Sequence, residues 1–278
     1  MGVIDASAPA PATLTRAHIA GATALSVEAG WNQTPDDWAL FIDHGRTRGV
    51  FVDGELIATA ATLPYGPRLC YVSMVLVTAR YRNRGIATGM LREAVGDLEA
   101  STCAAMLDAT PAGAEVYRRL GFVDIFPLRR WQGEVGKAPG AAPRTATPHD
   151  AERLITLDAI AFGAARPFLI RDFLARAGTR ALVSDAGFVV RRKGIRADQI
   201  GPLVAVDADR AQQLLGAALG LGAGPVFLDV PDHQQNLAAM LEALRFSVQR
   251  PFTRMARHLT TWPGDPAKLF VAAGPEFG

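Results

Sequence analysis

The chain has 278 residues, of which 49% are apolar and 20% are charged, a composition typical of a soluble globular protein with room for two cores. Its 29 Lys and Arg residues nearly balance its 27 Asp and Glu residues, so the formal net charge of +2 predicts no binding of nucleic acid. No apolar stretch is long enough to cross a bilayer and no secretory leader is visible, which predicts a cytoplasmic protein with no membrane partner. Cys70 and Cys103 are expected to be reduced thiols, and the histidines show no spacing typical of a metal site, so we expect no metal.

The first half of the chain predicts a mixed α/β domain. A helix is expected over residues 17–29, and a second begins near Pro35 with Thr34 as its N-cap. Asp36 and Asp37 fall in the first turn of this second helix, where acidic side chains favour a helix start. Apolar runs and turn signals then predict three strands, a helix, a strand, a helix and a closing strand, over residues 49–52, 55–63, 69–77, 85–100, 104–108, 112–120 and 122–131.

A stretch rich in Pro, Gly and Ala predicts a linker at residues 135–144, which divides the chain in two. The second half repeats the element order of the first, and Leu120-Gly121-Phe122 against Leu244-Arg245-Phe246 marks the register. Because such self-similarity is rarely accidental, we expect two α/β domains in tandem. Their predicted bounds are residues 1–134 and 145–260, with a tail at residues 261–278.

The clearest candidate for chemistry is the segment Val77–Ala87, between a strand and a helix. The apolar strand stops at Val77, and the helix begins near Gly85. The free N–H groups of a helix's first turn and its dipole favour anions, and small residues let an anion approach the backbone. An ordinary connection with a capping glycine would also account for such a loop. The segment therefore predicts a pyrophosphate site and leaves that structural alternative open.

Two motifs make the chain resemble the GNAT N-acetyltransferase superfamily. Arg82-x-x-Gly85-x-Ala87 is similar to the (Arg/Gln)-x-x-Gly-x-(Gly/Ala) motif of that family, and Tyr117-Arg-Arg-Leu-Gly-Phe122 is similar to its Tyr-x-x-Leu-Gly-Phe signature. Residues 145–260 resemble the family only in element order and a few positions, which is similar to the tandem-GNAT architecture. The resemblance implies an enzyme that transfers an acetyl group from acetyl-coenzyme A, the one cofactor expected, to an amine.

The resemblance also assigns coenzyme contacts. The pantetheine arm would bond to the backbone of the strand before the loop, and the pyrophosphate would bond to the amides of the loop. The residues so assigned are Val75, Leu76, Val77, Arg82, Asn83, Arg84, Gly85, Ile86, Ala87 and Thr88. The amine would attack the thioester directly, so no covalent enzyme intermediate is expected.

Direct attack needs two proton movements, one at the amine and one at the leaving thiolate. The resemblance makes Tyr117 the acid at the coenzyme sulfur, and a packed tyrosine with its hydroxyl at the surface is the alternative. Many relatives carry a glutamate on the strand before the loop, where this chain has no carboxylate, so the base is either an ordered water or a carboxylate from elsewhere. Asp108, at the end of the next strand, is the first candidate, and a helix cap is the alternative for it.

The acceptor site is expected at the joint of the first two helices, where substrate identity lies in this superfamily. Trp31, Asn32 and Gln33 combine an aromatic ring with an amide pair, which suits a polar cation. Ser73, on the strand before the loop, and Phe126, on the closing strand, are expected at the same mouth. Simple packing is the alternative for Phe126.

The second half is expected not to bind coenzyme. Its matching segment has no glycine pair, Asp207 and Asp209 would repel a pyrophosphate, and Leu241 stands where the first half has Tyr117. The chain is therefore expected to be an N-acetyltransferase with one active site and a small-molecule amine as acceptor. The alternatives are a non-catalytic acyl-CoA sensor and a protein N-acetyltransferase, and both a monomer and a homodimer are left open.

Overall fold

The computed structural model describes residues 9–100, 103–135 and 143–278, except for the side chains of residues 99 and 100. Contacts divide the chain into two compact units, and the division falls between Met106 and Leu107. Most of the linker predicted at residues 135–144 lies outside the described residues. Among the helices that the structure describes, none is long and apolar enough to cross a membrane.

Unit 1 is built on a mixed sheet. Its strands are β1 (Ala12–Thr13), β2 (Arg46–Val52), β3 (Glu55–Tyr65), β4 (Leu69–Val77) and β5 (Ala104–Ala109), which runs past the end of the unit. They lie in the order of their numbers, and every neighbouring pair is antiparallel except β4 with β5. The helices are α1 (Ile19–Glu28), α2 (Pro35–His44) and α3 (Ile86–Ala100).

The start of α2 shows how local chemistry determines the bounds of an element. Thr34 Oγ1 accepts a hydrogen bond from the backbone N–H of Asp37 (3.3 Å), and the Asp37 carboxylate accepts one from the backbone N–H of Thr34 (2.8 Å). Pro35 takes the first helical position, where a missing N–H breaks no helical hydrogen bond. The predicted start and its acidic cap are confirmed. Trp38 behind them is buried, and its ring N–H donates to Ser26 Oγ (3.1 Å).

Unit 2 contains the remaining elements. Its helices are α4 (Pro111–Arg119), α5 (Ala151–Phe162), α6 (Pro167–Ala175), α7 (Ala208–Gly220) and α8 (Gln235–Ala243). Its strands are β6 (Val123–Val135), β7 (Arg144–Thr145), β8 (Arg180–Ser184), β9 (Gly187–Arg192), β10 (Asp198–Ala205), β11 (Gly224–Pro231), β12 (Ser247–Arg257) and β13 (Leu269–Val271). They lie in the order β12-β6-β11-β10-β9-β8-β7, and β13 pairs with β10.

The predicted repeat is visible in the order of these elements. Two helices, α5 and α6, precede the antiparallel strands β8 to β10, as α1 and α2 precede β2 to β4. A helix, α7, then connects β10 to the parallel strand β11, as α3 connects β4 to β5. The expected mixed α/β fold with two similar domains in tandem is confirmed.

The division between the units falls before the predicted linker because of strand β6. This strand closes the first repeat, but it pairs with β11 on one side and with β12 on the other, and both belong to the second repeat. The backbone hydrogen bonds of β6 therefore tie it to unit 2. The predicted domain bounds at 1–134 and 145–260 describe the repeats in sequence and stay a prediction.

The segment predicted as a tail, residues 261–278, is an integral part of unit 2. Within it β13 pairs with β10, and the residues from Leu269 to Gly278 are almost all buried. Arg166, itself buried, donates to the carbonyl oxygen of Phe277 (2.6 Å) and to the Asp158 carboxylate. The sequence pattern missed this packing because the partners are distant in the chain.

Candidate functional site

Strand β4 carries a bulge at Met74. The pairing of β4 with β3 shifts between Thr59 and Ala61, and Met74 takes a φ of +55°, which is strained for a residue with a side chain. Thr59 Oγ1 donates to the carbonyl oxygen of Met74 (2.8 Å) and holds this conformation. After the bulge, Val75 and Val77 pack on the same side as Met90 of α3.

The two parallel strands of unit 1 separate before β4 ends. Pairing between β4 and β5 covers Leu69–Tyr71 against Ala104–Met106, while β4 continues to Val77. Among the residues that the structure describes in unit 1, the last part of β4 therefore pairs with β3 alone, and its other edge has no strand partner there.

The entry to the loop after β4 is held by Glu28, at the end of α1. The Glu28 carboxylate accepts hydrogen bonds from the backbone N–H of Ala79 (2.6 Å) and from Thr78 Oγ1 (2.8 Å). These bonds, that from Ala79 first, lower the pKa of Glu28 below its ordinary value. Inside the loop, the guanidinium Nε of Arg82 donates to the carbonyl oxygen of Val77 (3.0 Å).

The loop ends in a backbone conformation that suits glycine and then opens the first turn of α3. Asn83 and Gly85 have φ values of +61° and +78°. The first helical hydrogen bond runs from the N–H of Gly89 to the carbonyl oxygen of Gly85 (2.9 Å). The amides of the preceding residues, among them Ile86 and Ala87, therefore have no acceptor within the helix and lie at its positive end. A Cβ added at Gly85 would meet nothing within 4 Å, so the space beside Gly85, at the start of this turn, is open.

The two predicted catalytic residues both lie in unit 2. Tyr117 is on α4 and packs its ring edge-on to Phe122, with the ring centroids 5.8 Å apart. Although the residue as a whole is partly exposed, burial of its phenol raises the pKa of Tyr117 to about 12. The group therefore keeps its proton at neutral pH, as a hydrogen-bond donor must.

Asp108 lies in an environment that argues against its predicted role as base. Its carboxylate accepts from Nε and Nη2 of Arg254, at 2.7 Å each, and both side chains are fully buried. A base must receive a proton from the substrate, and here both oxygens are already engaged by a cation. The alternative role as a helix cap is also not observed, because the N-cap of α4 is Thr110, which accepts from the N–H of Gly113 (3.2 Å).

The residues predicted at the acceptor mouth in unit 1 differ in accessibility. Trp31 is half-buried, while Asn32 and Gln33 are almost completely buried in the joint between α1 and α2. Ser73 lies directly before the bulge of β4, and its buried Oγ has no hydrogen-bond partner among the residues that the structure describes. By alternation along β4, Ser73 points away from Cys70, which lines a cavity with α3.

Phe126, the acceptor residue predicted in unit 2, belongs to an aromatic cluster. Its ring packs edge-on against Trp262 (centroids 5.2 Å apart) and His233 (5.5 Å). The guanidinium carbon of Arg254 lies 5.3 Å from the centroid of the Phe126 ring and 5.0 Å from that of Trp262. Arg254 therefore brings together Asp108 and Phe126, two of the residues predicted from sequence.

Comparison with known families matches the chain twice. Residues 19–122 match the acetyltransferase (GNAT) family, and residues 154–271 match an acetyltransferase (GNAT) domain. The chain belongs to the GNAT acetyltransferase family, as two domains in tandem. This membership makes it an acyltransferase and confirms the family inferred from the two motifs.

Individual relatives agree with this GNAT assignment. The chain is 23% identical, over 240 residues, to the uncharacterized N-acetyltransferase YitH of Bacillus subtilis, covering 82% of this chain and 84% of the relative. The structure of a candidate acetyltransferase from Pyrococcus horikoshii superposes with a TM-score of 0.84 at 18% identity, covering 97% of this chain and 95% of the other. A tandem GNAT protein from the clavulanic acid biosynthesis pathway superposes with a TM-score of 0.61 at 16% identity, covering 89% and 97%. These two structures support the fold.

The second GNAT domain differs from the first at two places, the start of the helix after its central strand and the open edge of that strand. In the second domain, groups of the chain itself occupy both. The Asp207 carboxylate accepts from the N–H of Arg210 (2.8 Å) and so caps the start of α7. Strands β10 and β11 also separate, but β13 lies between them: it pairs with β10, and the N–H of Ala272 donates to the carbonyl oxygen of Asp229 (2.8 Å). A peptide segment thus occupies the gap in this domain.

Three features of this GNAT chain were not predicted from the sequence. The bulge at Met74 and the bond from Ala79 to Glu28 have no local signal that would have revealed them. Arg254 does have one, because Arg130 stands at the equivalent position of the first repeat, at the offset that relates Phe122 to Phe246. An arginine that recurs at the same position of both repeats would have singled out these two positions as candidates for a shared role.

Proposed function

We propose that the chain is an acetyl-coenzyme A-dependent N-acetyltransferase whose acceptor is a small-molecule amine. The observation that carries the proposal is the first turn of α3, whose amides have no acceptor within the helix and which follows the loop after the bulged strand β4, with open space at Gly85. Adjacent phosphates are the anions that such a turn favours. Family membership supports acyl transfer as the reaction.

The coenzyme would bind through its two ends. The pyrophosphate would accept from the amides between Arg82 and Thr88, and the pantetheine arm, which carries two amides, would bond to the backbone of Val75, Leu76 and Val77. The second domain supports this assignment from within the chain, because there an amide-bearing segment, β13, lies along the corresponding strand.

The transfer needs one bond to form and one to break. The lone pair of the neutral amine attacks the thioester carbon, the carbon–sulfur bond breaks, and the sulfur leaves with the electron pair as a thiolate. The attacking nitrogen loses its extra proton as the amide forms, and the thiolate takes up a proton to become the free thiol. We propose that the hydroxyl group of Tyr117 stabilises the negative charge that develops on the leaving sulfur. Because the pKa of Tyr117 is raised to about 12, well above the value of about 8.5 typical of a thiol, complete proton transfer would be uphill. The phenol would therefore act chiefly by donating a hydrogen bond as the charge develops.

A water molecule is the base that we propose for the amine. Asp108, the first candidate from the sequence, is engaged by Arg254 through both oxygens. The other possibility left open by the sequence was an ordered water, which would receive the proton that the substrate ammonium must lose. For the acceptor we keep the residues predicted from the sequence, Trp31, Asn32, Gln33, Ser73 and Phe126, and the buried Oγ of Ser73 has no hydrogen-bond partner among the described residues.

Thiol release from acetyl-coenzyme A with a panel of small amines tests the proposal. We expect turnover with at least one amine, and a kcat about 10- to 100-fold lower in Tyr117→Phe with little change in coenzyme affinity. Tyr81→Phe is the matched control, because Tyr81 lies in the loop, with the centroid of its ring 4.9 Å from the guanidinium carbon of Arg84, and has no assigned proton role. Equal losses of kcat in the two variants would contradict the assignment of Tyr117.

The two rival functions give different results in the same assay. A non-catalytic acyl-CoA sensor would bind coenzyme and release no thiol with any amine, and Tyr117→Phe would change nothing. A protein N-acetyltransferase would be inactive on small amines and active on peptides with a free amine.

A further inference from the structure

Strands β6 and β12 are equivalent strands of the two repeats, and they pair with each other around a local two-fold axis. Leu128 of β6 lies opposite Phe252 of β12, its own equivalent at the offset that relates Phe122 to Phe246. The pairs on either side of it, Arg129 with Pro251 and Pro127 with Thr253, are equivalent to each other at the same offset. Each of these strands therefore lies where it can reach the aspartate-bearing strand of the other repeat.

Each strand uses this position to place one buried arginine. Arg254 of β12 binds Asp108 of the first repeat with two bonds of 2.7 Å, and Arg130 of β6 binds Asp229 of the second repeat with bonds of 2.9 and 2.8 Å. These four side chains are at most 3% exposed. The two ion pairs thus have the same residue types, the same burial and equivalent positions in the two repeats. In each pair, the arginine of one repeat binds the aspartate of the other.

The two pairs differ in the helix that comes after the aspartate. Asp108 comes just before Thr110, the cap of α4, and the ring of Tyr117 lies over the first turn of this helix, where a Cβ added at Gly113 would be 3.2 Å from the ring. Asp229 comes before α8, in which Leu241 takes the position of Tyr117 and is buried in the core. Of the two pairs, only the Asp108 pair therefore lies before a helix that carries a tyrosine.

We propose that Arg254 is a positioning residue for Tyr117, supplied by the repeat that has no coenzyme loop. It fixes the end of β5 through Asp108, and with it the start of α4 and the ring of Tyr117. The guanidinium is itself confined by Phe126 and Trp262, so it offers one geometry to the carboxylate. The role of Tyr117 rests on the proposed function, while the mechanical link from Arg254 to α4 does not.

Two double variants test the link with a control taken from the chain's own symmetry. Arg254→Met with Asp108→Asn and Arg130→Met with Asp229→Asn each replace a buried ion pair by neutral groups, so neither leaves an uncompensated charge that would prevent folding. We expect kcat to fall at least about tenfold in the first, with the KM for acetyl-coenzyme A within about threefold of the wild-type value. In the variant Arg130→Met with Asp229→Asn, kcat and the KM for acetyl-coenzyme A should both stay within about threefold of the wild-type values. Its melting temperature should change by about as much as that of the first variant. Equal losses of kcat would overturn the proposal.

Two further measurements separate positioning from general damage. In a Tyr117→Phe background, the double variant Arg254→Met with Asp108→Asn should lower kcat no further, because its effect on kcat depends on the phenol of Tyr117. Additive losses of kcat would contradict the proposal. Amide hydrogen exchange should rise in α4 for the Arg254 variant and in α8 for the Arg130 variant. If the wild-type chain turned over no amine, the proposed function would fail, and hydrogen exchange would still decide the link: unchanged exchange in α4 refutes it.

Discussion

Replacing Gly85 by glutamate tests the coenzyme loop most directly. Gly85 has a φ of +78°, and a Cβ there meets nothing within 4 Å, so a side chain has room but costs about 1 kcal/mol of backbone strain. The new carboxylate would lie on the order of 4 Å from an anion held by the amides of Ile86 and Ala87. At an effective dielectric constant between about 80 and about 20, that repulsion is about 1 to 4 kcal/mol. We therefore expect coenzyme to bind between about 5-fold and about 800-fold more weakly.

Isothermal titration with coenzyme A measures this loss, and two variants isolate its cause. Gly85→Gln has the same backbone strain without the charge, so the ratio of the two dissociation constants reports the repulsion alone. Gly224→Glu adds a carboxylate in unit 2, at another positive φ (+110°) with open space around the Cβ, and should bind coenzyme normally. Equal affinity of Gly85→Glu and Gly85→Gln would refute the electrostatic reasoning, and normal binding by both would refute the site.

The same contacts predict three more outcomes. Because β13 fills the gap in the second domain, titration should give one coenzyme per chain, and a stoichiometry of two would contradict this. Glu28 has a lowered pKa, so its stabilising contribution is present above its ordinary pKa of 4.5 and is lost as pH falls through the lower folded value. Wild type should therefore melt about 2 °C above Glu28→Gln at pH 7, and this difference should shrink as the pH falls below 4.5, as followed by circular dichroism. Burial, and then the neighbouring Cys103, raise the pKa of Cys70 to about 12, so a disulfide reagent at pH 8 should modify Cys103 first, and Cys103→Ser should lack the fast phase.

The elements that the sequence predicted best are those whose signals are local. The predicted strand at residues 69–77 coincides with β4, and the predicted start of α2 at Pro35 agrees with the structure. Apolar runs, capping side chains and turn residues act over a few positions, so one sequence is enough to find them. The family motifs are local in the same way, since Arg82 to Ala87 form one loop and Tyr117 to Phe122 one helix end.

The bulge in β4 shows where this kind of prediction stops. The strand from Tyr71 to Val77 is apolar at every position except Ser73, so its pattern contains no alternation from which a change of phase could be detected. Only the pairing with β3 reveals that Met74 is the extra residue. The functional consequence, a strand edge that turns Val75 and Val77 towards α3, was therefore invisible in the sequence.

The sequence by itself determined the tandem repeat, the loop before α3 and the family, because all three depend on residue types at short, fixed spacings. The tertiary structure decided which groups are available for chemistry. Asp108 looked like a candidate base until it was found bonded to Arg254, a residue 146 positions away, and residues 261–278 looked like a tail until β13 was found in the gap of the second domain. Burial and ion pairing depend on which distant segments share a core, and a single sequence contains no measure of those distances.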